Sequence, residues 1–374
     1  MQVAAEHPRG IAGRLPAREL ELVASQDHRR PPELGDPDLE RDPRPRRRPL
    51  EQQGDRAAGE RTRGIVAAAS GLELDRPLEH GAELGRIELL AGEEVPGGAA
   101  CQAGHDRSLR ALTWNLFHGR DFPPDPALRT LRSRLTGRPE RNATHLQVNR
   151  ELFDEFATIL AGAEWDIALL QECPPRWAAP LAAACRATGH RVLTARNWLL
   201  PVTSALAARN PDLIASWEGG SNLTLVRGRP ILERRSLVLR RRPERRAMAF
   251  TRLEGGLGVA NLHASEREPL AESDVRAAAE RAVEWIGDSP LVFGGDLNLR
   301  VSRTALFAEL SSNHGLRGAS GPDAIDHLLA RGLEIETAPI RWAPEAREVE
   351  VDGLAVRLSD HAPVAARYRE ADPG

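Results

Sequence analysis

Eight side chains able to do chemistry recur in short segments after residue 108. Asn115 closes TWN, Glu172 closes QE, His263 lies in NLH, Asp296 and Asn298 in GDLN, Asp326 in IDH, and Asp360 and His361 in SDH. The carboxylates and amides offer hard oxygen atoms, and no thiolate stands among them. Magnesium, or manganese, favours such a set, with water and substrate phosphate completing the shell, whereas zinc draws on His and Cys clusters. The imidazoles would then serve the protons and the phosphate. A metal on a phosphate oxygen offsets charge in the transition state and positions water, so the set fits metal-assisted hydrolysis of a phosphoester. Taken singly each residue is weak evidence, because a lone Asp at a strand end is usually a cap and a lone His usually structural. The weight lies in the set and its order.

Those residues need elements to hold them. Arg110–Trp114 has the pattern of a strand ending at Asn115, and Asp166–Leu170 of a buried strand leading to Glu172. The apolar spacing predicts a helix over His145–Ala161 and another over Arg176–Thr188, stopped by Gly189. Residues 222–262 hold four β-like runs, NLTLVR, ILERRSLVL, RAMAFTRL and LGVANLH, with a hairpin turn at Glu254–Gly256. Asp274–Ile286 reads as a helix, and Leu291–Gly295, Ala324–Leu329 and Val364–Tyr368 as strands. The chemical residues fall at strand ends, where α/β folds commonly place sites. By alternation, His327 should face away from Asp326 and stays out of the set.

The ordered series TWN, QE, NLHAS, GGDLN, IDH and SDH resembles the signature of the endonuclease/exonuclease/phosphatase family, with its deoxyribonuclease I-like fold, over about residues 109–368. The resemblance implies an α/β (α+β) four-layer sandwich: two packed, mostly antiparallel sheets flanked by helices. It implies Glu172 as the central metal ligand with Asn115 beside it, and Asp360 as a further ligand. Asp296 would orient or deprotonate the attacking water, held by Asn298. Asp326 would fix His361, and His361 with His263 would stabilise the phosphorane. Asn222 and Arg246 are the expected substrate contacts. The expected activity is nuclease-like, with a small-molecule or lipid phosphoesterase and a non-catalytic binding module as alternatives; the expected partner is nucleic acid or a small phosphoester. Nucleases of the family often place a Tyr near the phosphate. The single Tyr here, Tyr368, is expected away from the site. His118, three residues past Asn115, could line the pocket or serve the loop, and the loop role is favoured.

The 374 residues carry a net charge of −3, which gives no general affinity for polyanions. All 51 basic residues are arginine, which predicts a GC-rich coding sequence and a bacterial source. Three cysteines without CxxC spacing indicate neither a disulfide framework nor a zinc cluster. With no secretory pattern and no long apolar run, a cytoplasmic location is expected. Residues 1–107 are rich in Arg, Pro, Gly and acids and lack any aromatic residue. They are expected to be a disordered tail, or upstream DNA read in frame from too early a start, leaving 108–374 as the catalytic domain.

Overall fold

The computed structural model describes residues 108–195 and 199–370, all of them within the unit Val95–Gly374. The expected tail, 1–107, lies outside the described residues. In chain order the strands are β1 (Ser108–Asn115), β2 (Glu140–Arg141), β3 (Leu146–Gln147), β4 (Ile167–Cys173), β5 (Thr188–Leu193), β6 (Ser221–Val226), β7 (Ile231–Arg240), β8 (Arg246–Leu253), β9 (Gly258–His263), β10 (Leu291–Asp296), β11 (Asp326–Arg331), β12 (Leu333–Arg341), β13 (Glu348–Val351), β14 (Leu354–Arg357) and β15 (Val364–Glu370). The helices are α1 (Leu131–Thr136), α2 (Phe153–Gly162), α3 (Ala178–Ala184), α4 (Leu200–Arg209), α5 (Pro211–Ile214), α6 (Glu268–Ile286) and α7 (Leu306–His314).

Strand alternation sorts the side chains onto two faces, and the faces dictate four layers. One sheet runs β12-β15-β1-β4-β6-β5 and the other β11-β10-β9-β8-β7. Only β1/β4 and β9/β10 pair in parallel; the remaining neighbours in both sheets are antiparallel. Leu109, Ala111, Ile167 and Leu169 of the first sheet meet Val259, Val292, Leu328 and Ala330 of the second in a dry seam. The opposite faces turn outward. Leu112, Trp114, Ala168 and Leu170 bury against Phe156 and Leu160 of α2 and Leu181 of α3. Phe250, Leu262 and Phe293 bury against Val275, Ala279 and Ala282 of α6 and Leu310 of α7. Each such large side chain removed from water contributes on the order of 2 kcal/mol. This is the α/β sandwich expected from the sequence.

The inner faces change character along their length. Past Ala111, Leu169 and Val259, the same alternating positions become Thr113 and Asn115, Gln171, and Asn261 and His263, all buried. Gln171 Nε2 donates to Asn261 Oδ1 across the seam at 2.8 Å, and Asn261 Nδ2 to the Leu170 carbonyl at 3.2 Å. The seam therefore runs from hydrocarbon at one end to hydrogen-bonding groups at the other, and the site occupies the polar end.

Two expected helices are shorter than the apolar spacing suggests. The first begins only at Phe153; Leu146, Val148 and Leu152 still reach the core, but from extended chain. There the Val148 N–H serves the Asp121 carboxylate (3.1 Å), and Asn149 adopts φ 54°. The second spans Ala178–Ala184, and Gly189, expected to stop it, instead pairs with Leu225 within edge strand β5. The turn at Glu254–Gly256 forms, with the Gly256 N–H donating to the Leu253 carbonyl (3.0 Å). His327 faces outward as expected, donating to the Leu299 carbonyl (2.8 Å) and packing on Phe307. Tyr368 is buried in the seam with its hydroxyl on the Leu328 carbonyl.

Candidate active site

The parallel pairs bring the C-terminal ends of β1, β4, β9 and β10 to one edge, carrying Asn115, Glu172, His263 and Asp296. Close approach here depends on glycine. A Cβ at Gly295 (φ 131°) would collide with the Leu262 carbonyl oxygen, so only glycine lets β10 press against β9 and deliver Asp296. Glu172 sits at a register shift between β4 and β6 with φ 47°. That break lets Gln171 point into the seam while Cys173 packs in the helix-side core. Asn298 (φ 52°) and Ser359 (φ 59°) are also left-handed, and such strain in non-glycine residues gathers where a site over-determines the backbone.

Asn115 ties the carboxylates together. Its Nδ2 donates to Asp296 Oδ2 (2.9 Å) and Glu172 Oε1 (3.2 Å), while its Oδ1 accepts from the Phe117 N–H (3.0 Å). That N–H fixes which way the amide faces, so Asn115 presents donors, not its carbonyl oxygen, to the acids. Asp296 Oδ1 accepts from the Asn298 N–H (3.2 Å), and Asn298 Nδ2 anchors to the Ala264 carbonyl. Burial pushes the Asp296 carboxyl up; the charge of His361 pulls the other way but does not prevail. Glu172 goes in the opposite direction. Burial would raise it, but the charge and hydrogen bond of His118 and the hydrogen bond from Asn115 hold it well below the usual carboxylate range.

The imidazoles take distinct states. His361 Nδ1 bonds Asp326 Oδ2 at 2.8 Å, and its Nε2 points toward Asp296 Oδ2 at 3.9 Å. Burial disfavours its charge, yet Asp326 and Asp296 outweigh that and raise it to about 10. His361 is therefore an imidazolium at neutral pH. His263 is buried, and desolvation, reinforced by the Arg246 charge, lowers it to about 3, leaving it neutral. Its Nδ1 lies 3.4 Å from Arg246 Nη1, and since guanidinium only donates, the proton of His263 sits on Nε2. That Nε2 faces Asp296 (3.5 Å) and Glu172 (3.8 Å).

Beside this cluster opens a cavity of about 500 Å³ whose lining includes His118, Arg120, Glu172, Arg246 and His263. Asp326, Asp360 and His361 line a smaller opening of about 220 Å³. Burial raises the Asp360 carboxyl, with Glu172 adding to the effect against His361. Solved structures that it resembles include endonuclease/exonuclease/phosphatase family proteins. One, from Bacteroides thetaiotaomicron, is 14% identical with TM-score 0.47 over 71% of this chain and 98% of its own. A family protein from Beutenbergia cavernae is 17% identical with TM-score 0.46, over 71% and 72%. A truncated TDP2 from Caenorhabditis elegans is 14% identical with TM-score 0.43, over 70% and 97%. No family model matches the sequence, and no curated protein matches it significantly.

Of the residues singled out from the sequence, Asn115, Glu172, His263, Asp296, Asn298, Asp326, Asp360, His361 and Arg246 converge on this edge. Asn222 does not. It is fully buried, with Nδ2 committed to the Ala247 carbonyl (2.8 Å) and directed at that of Asn261 (3.4 Å), so it staples the seam rather than facing the cavity. His118 takes the pocket role rather than the favoured loop one: it lines the cavity, and its Nε2 bonds Glu172 Oε2 at 3.0 Å. Arg120 also belongs to the site. Its guanidinium lies 3.6 Å from the Phe117 ring centroid and lines the cavity. The sequence signal for both was proximity in NLFHGR, directly after the strand-ending Asn115. Ser359 was missed as well; its hydroxyl donates to the Asn115 carbonyl (2.7 Å) and accepts from the His361 N–H (3.0 Å).

Proposed function

We propose that this chain is a magnesium- or manganese-dependent hydrolase of phosphoester bonds. The observation that carries the reading is the pairing of an imidazolium with a raised, immobilised carboxyl: His361 held by Asp326 at 2.8 Å, facing Asp296 held by Asn115 and Asn298. The fit of a divalent cation rests on the donor chemistry. Glu172, Asp296 and Asp360 bring oxygen donors and no sulfur to one edge, and Asp326 Oδ1 is buried without a partner. Glu172 and Asp360 would hold the ion, with Asn115 joining only if its amide turned over. Asp296, Asp326 and His361 also bring ligand atoms within 4.8 Å of one another. A protonated imidazole has no lone pair to give, so this trio serves protons and charge rather than the metal.

When bound, the cation neutralises phosphate charge and draws water and ester together. The chain's own residues do the rest. Asp296, raised by burial and ionised by loss of its proton, accepts hydrogen from the attacking water. Asn115 and Asn298 keep its two oxygens in place. His361 presents Nε2–H to the non-bridging oxygens as charge builds on them. Neutral His263 adds a second donor through Nε2–H. Arg246 and Arg120 supply fixed positive charge at the cavity wall, and Arg is suited to phosphate.

The test is cation-dependent hydrolysis by the full chain on supercoiled plasmid, single-stranded RNA, bis-p-nitrophenyl phosphate, and inositol or sphingolipid phosphoesters. Asp296→Asn and His361→Ala are the controls. Turnover lost with EDTA and in both variants supports the reading, and the substrate turned over decides between nuclease and small or lipid phosphoesterase. Folded protein inactive on the whole panel overturns it in favour of a binding module.

A further inference from the structure

The helical lobe beside the cavity has its apolar side outward. The large hydrophobic residues exposed among the described residues are Leu131, Leu135, Leu199, Val202, Leu206, Leu213, Trp217, Leu232 and Ile340. Only the last two lie elsewhere; seven fall on α1 or on the stretch 199–218. Singly exposed apolar side chains need no explanation, but such a concentration does. On α4 the pattern is ordered: Val202 and Leu206 recur one helical turn apart, with Leu199 at the N-cap just before them, yet the buried residue of the helix is Ala207. Trp217 is 79% exposed and Leu131 71%. These short helices belong to one lobe. Asn210 Nδ2 donates to the Arg134 carbonyl (2.8 Å), tying α5 to α1, and Ser204 bonds Glu218, tying α4 to the following turn.

The charges of the lobe are arranged to match. On α1 and residues 199–218 the exposed ionisable side chains are Arg132 and Arg209, whereas the acids Asp212 and Glu218 are buried. Ala215 and Ser216, next to Trp217, line the 500 Å³ cavity. An outward apolar stripe with an aromatic at its edge and arginines around it is the composition of an interfacial surface that enters the headgroup layer of an anionic membrane. A nucleic-acid face would need cations, with aromatics stacked along a groove, and gains nothing from exposed Leu and Val.

We propose that this lobe docks on an anionic lipid surface, delivering the adjacent cavity to phosphoesters held at that surface. The docking half stands on the lobe alone. The substrate half rests on the hydrolase reading above, and vesicle binding separates failure of one from failure of the other. The experiment is flotation of the full chain with vesicles of phosphatidylcholine, with and without phosphatidylglycerol. Wild type is compared with Trp217→Ser/Leu213→Ser, with Val202→Ser/Leu206→Ser and with Arg132→Gln/Arg209→Gln. Wild type should float with anionic vesicles. The apolar pairs should each cut partitioning about tenfold or more at any salt, and the arginine pair should cut it chiefly at low salt. Turnover of soluble bis-p-nitrophenyl phosphate should be unchanged in all three. Absence of flotation overturns the proposal, as does flotation indifferent to the variants. Sedimentation showing a dimer abolished by Trp217→Ser, without flotation, would assign the patch to a second copy. RNA binding lost in the apolar variants, without flotation, would assign it to nucleic acid.

Discussion

Replacing Asp326 with Asn isolates what the carboxylate does for His361. The side chain keeps its size and an acceptor oxygen for Nδ1–H, so geometry is retained while the charge is lost. His361 rises from 6.5 to about 10 in the fold, which at about 1.4 kcal/mol per pH unit is about 5 kcal/mol in favour of the imidazolium. Burial opposes this, and Asp326 supplies the largest favourable contribution, with Asp296 next. If Asp326 carries about half, roughly 2–3 kcal/mol is lost, and His361 should titrate near 8. The readout is the pH dependence of kcat/KM on bis-p-nitrophenyl phosphate. In wild type the rising limb belongs to Asp296, pushed to about 7 by burial, and the falling limb to His361 near 10. Bound cation would draw both limbs down, since Asp360, beside His361, would be one of its ligands. The variant should move the falling limb down by about two pH units and the rising limb down by less, because the Asp326 charge also raises Asp296. The linked stability has the same sign. A raised folded-state pKa stabilises fully below 6.5 and loses that effect as pH rises through about 10. The Tm gap between wild type and variant should therefore narrow from pH 6 to pH 10. A uniform loss of rate with both limbs unmoved would refute the assignment of His361 as the working imidazolium.

Three further outcomes follow from the geometry. Glu172→Gln should lose the thermal upshift that millimolar magnesium or manganese gives wild type, read by calorimetry without any activity measurement. Gly295→Ala should destabilise by more than about 3 kcal/mol or prevent soluble expression, because the clash is with backbone; urea denaturation checks it. Arg120→Ala should raise KM for a phosphoester about tenfold while kcat changes less, since Arg120 touches the cavity wall and not Asp296; steady-state kinetics decides.

Much of this site could be read from the sequence because strand ends are local features. TWN, QE, GDLN and SDH each carry their residue at the end of an apolar run, and parallel pairing then places those ends together. What could not be read depends on partners far away in the chain. Asn222 has the same strand-start context as a substrate contact, and only the presence of the Ala247 and Asn261 carbonyls opposite makes it a staple. His118 follows a strand end with no periodic pattern, and only the fold shows Glu172 within reach of its imidazole. Leu146 and Leu152 continue the helical spacing of Phe153–Leu160, but the Val148 N–H goes to the Asp121 carboxylate and Asn149 takes φ 54°, so the helix begins only at Phe153. Strand β5 carries a mixed sequence, TGHRVL, with little periodicity, as befits the edge of a sheet.

The two ends of the folded domain meet beneath the site. β1 and β15 are neighbours, Trp114 Nε1 donates to the His361 carbonyl (3.0 Å), and Ser359 Oγ donates to the Asn115 carbonyl (2.7 Å). Those bonds span 247 and 244 residues of chain. A ribosome that has released β1 to β14 has therefore made most of both sheets and most of the site, but neither Asp360 nor His361. Loop closure on this scale comes late in folding, so the imidazole reaches its carboxylates only once the chain through His361 has emerged. The order of synthesis thus acts as a time lock on the site, and on the hydrolase reading a chain cut before Asp360 should be inert however well its sheets form.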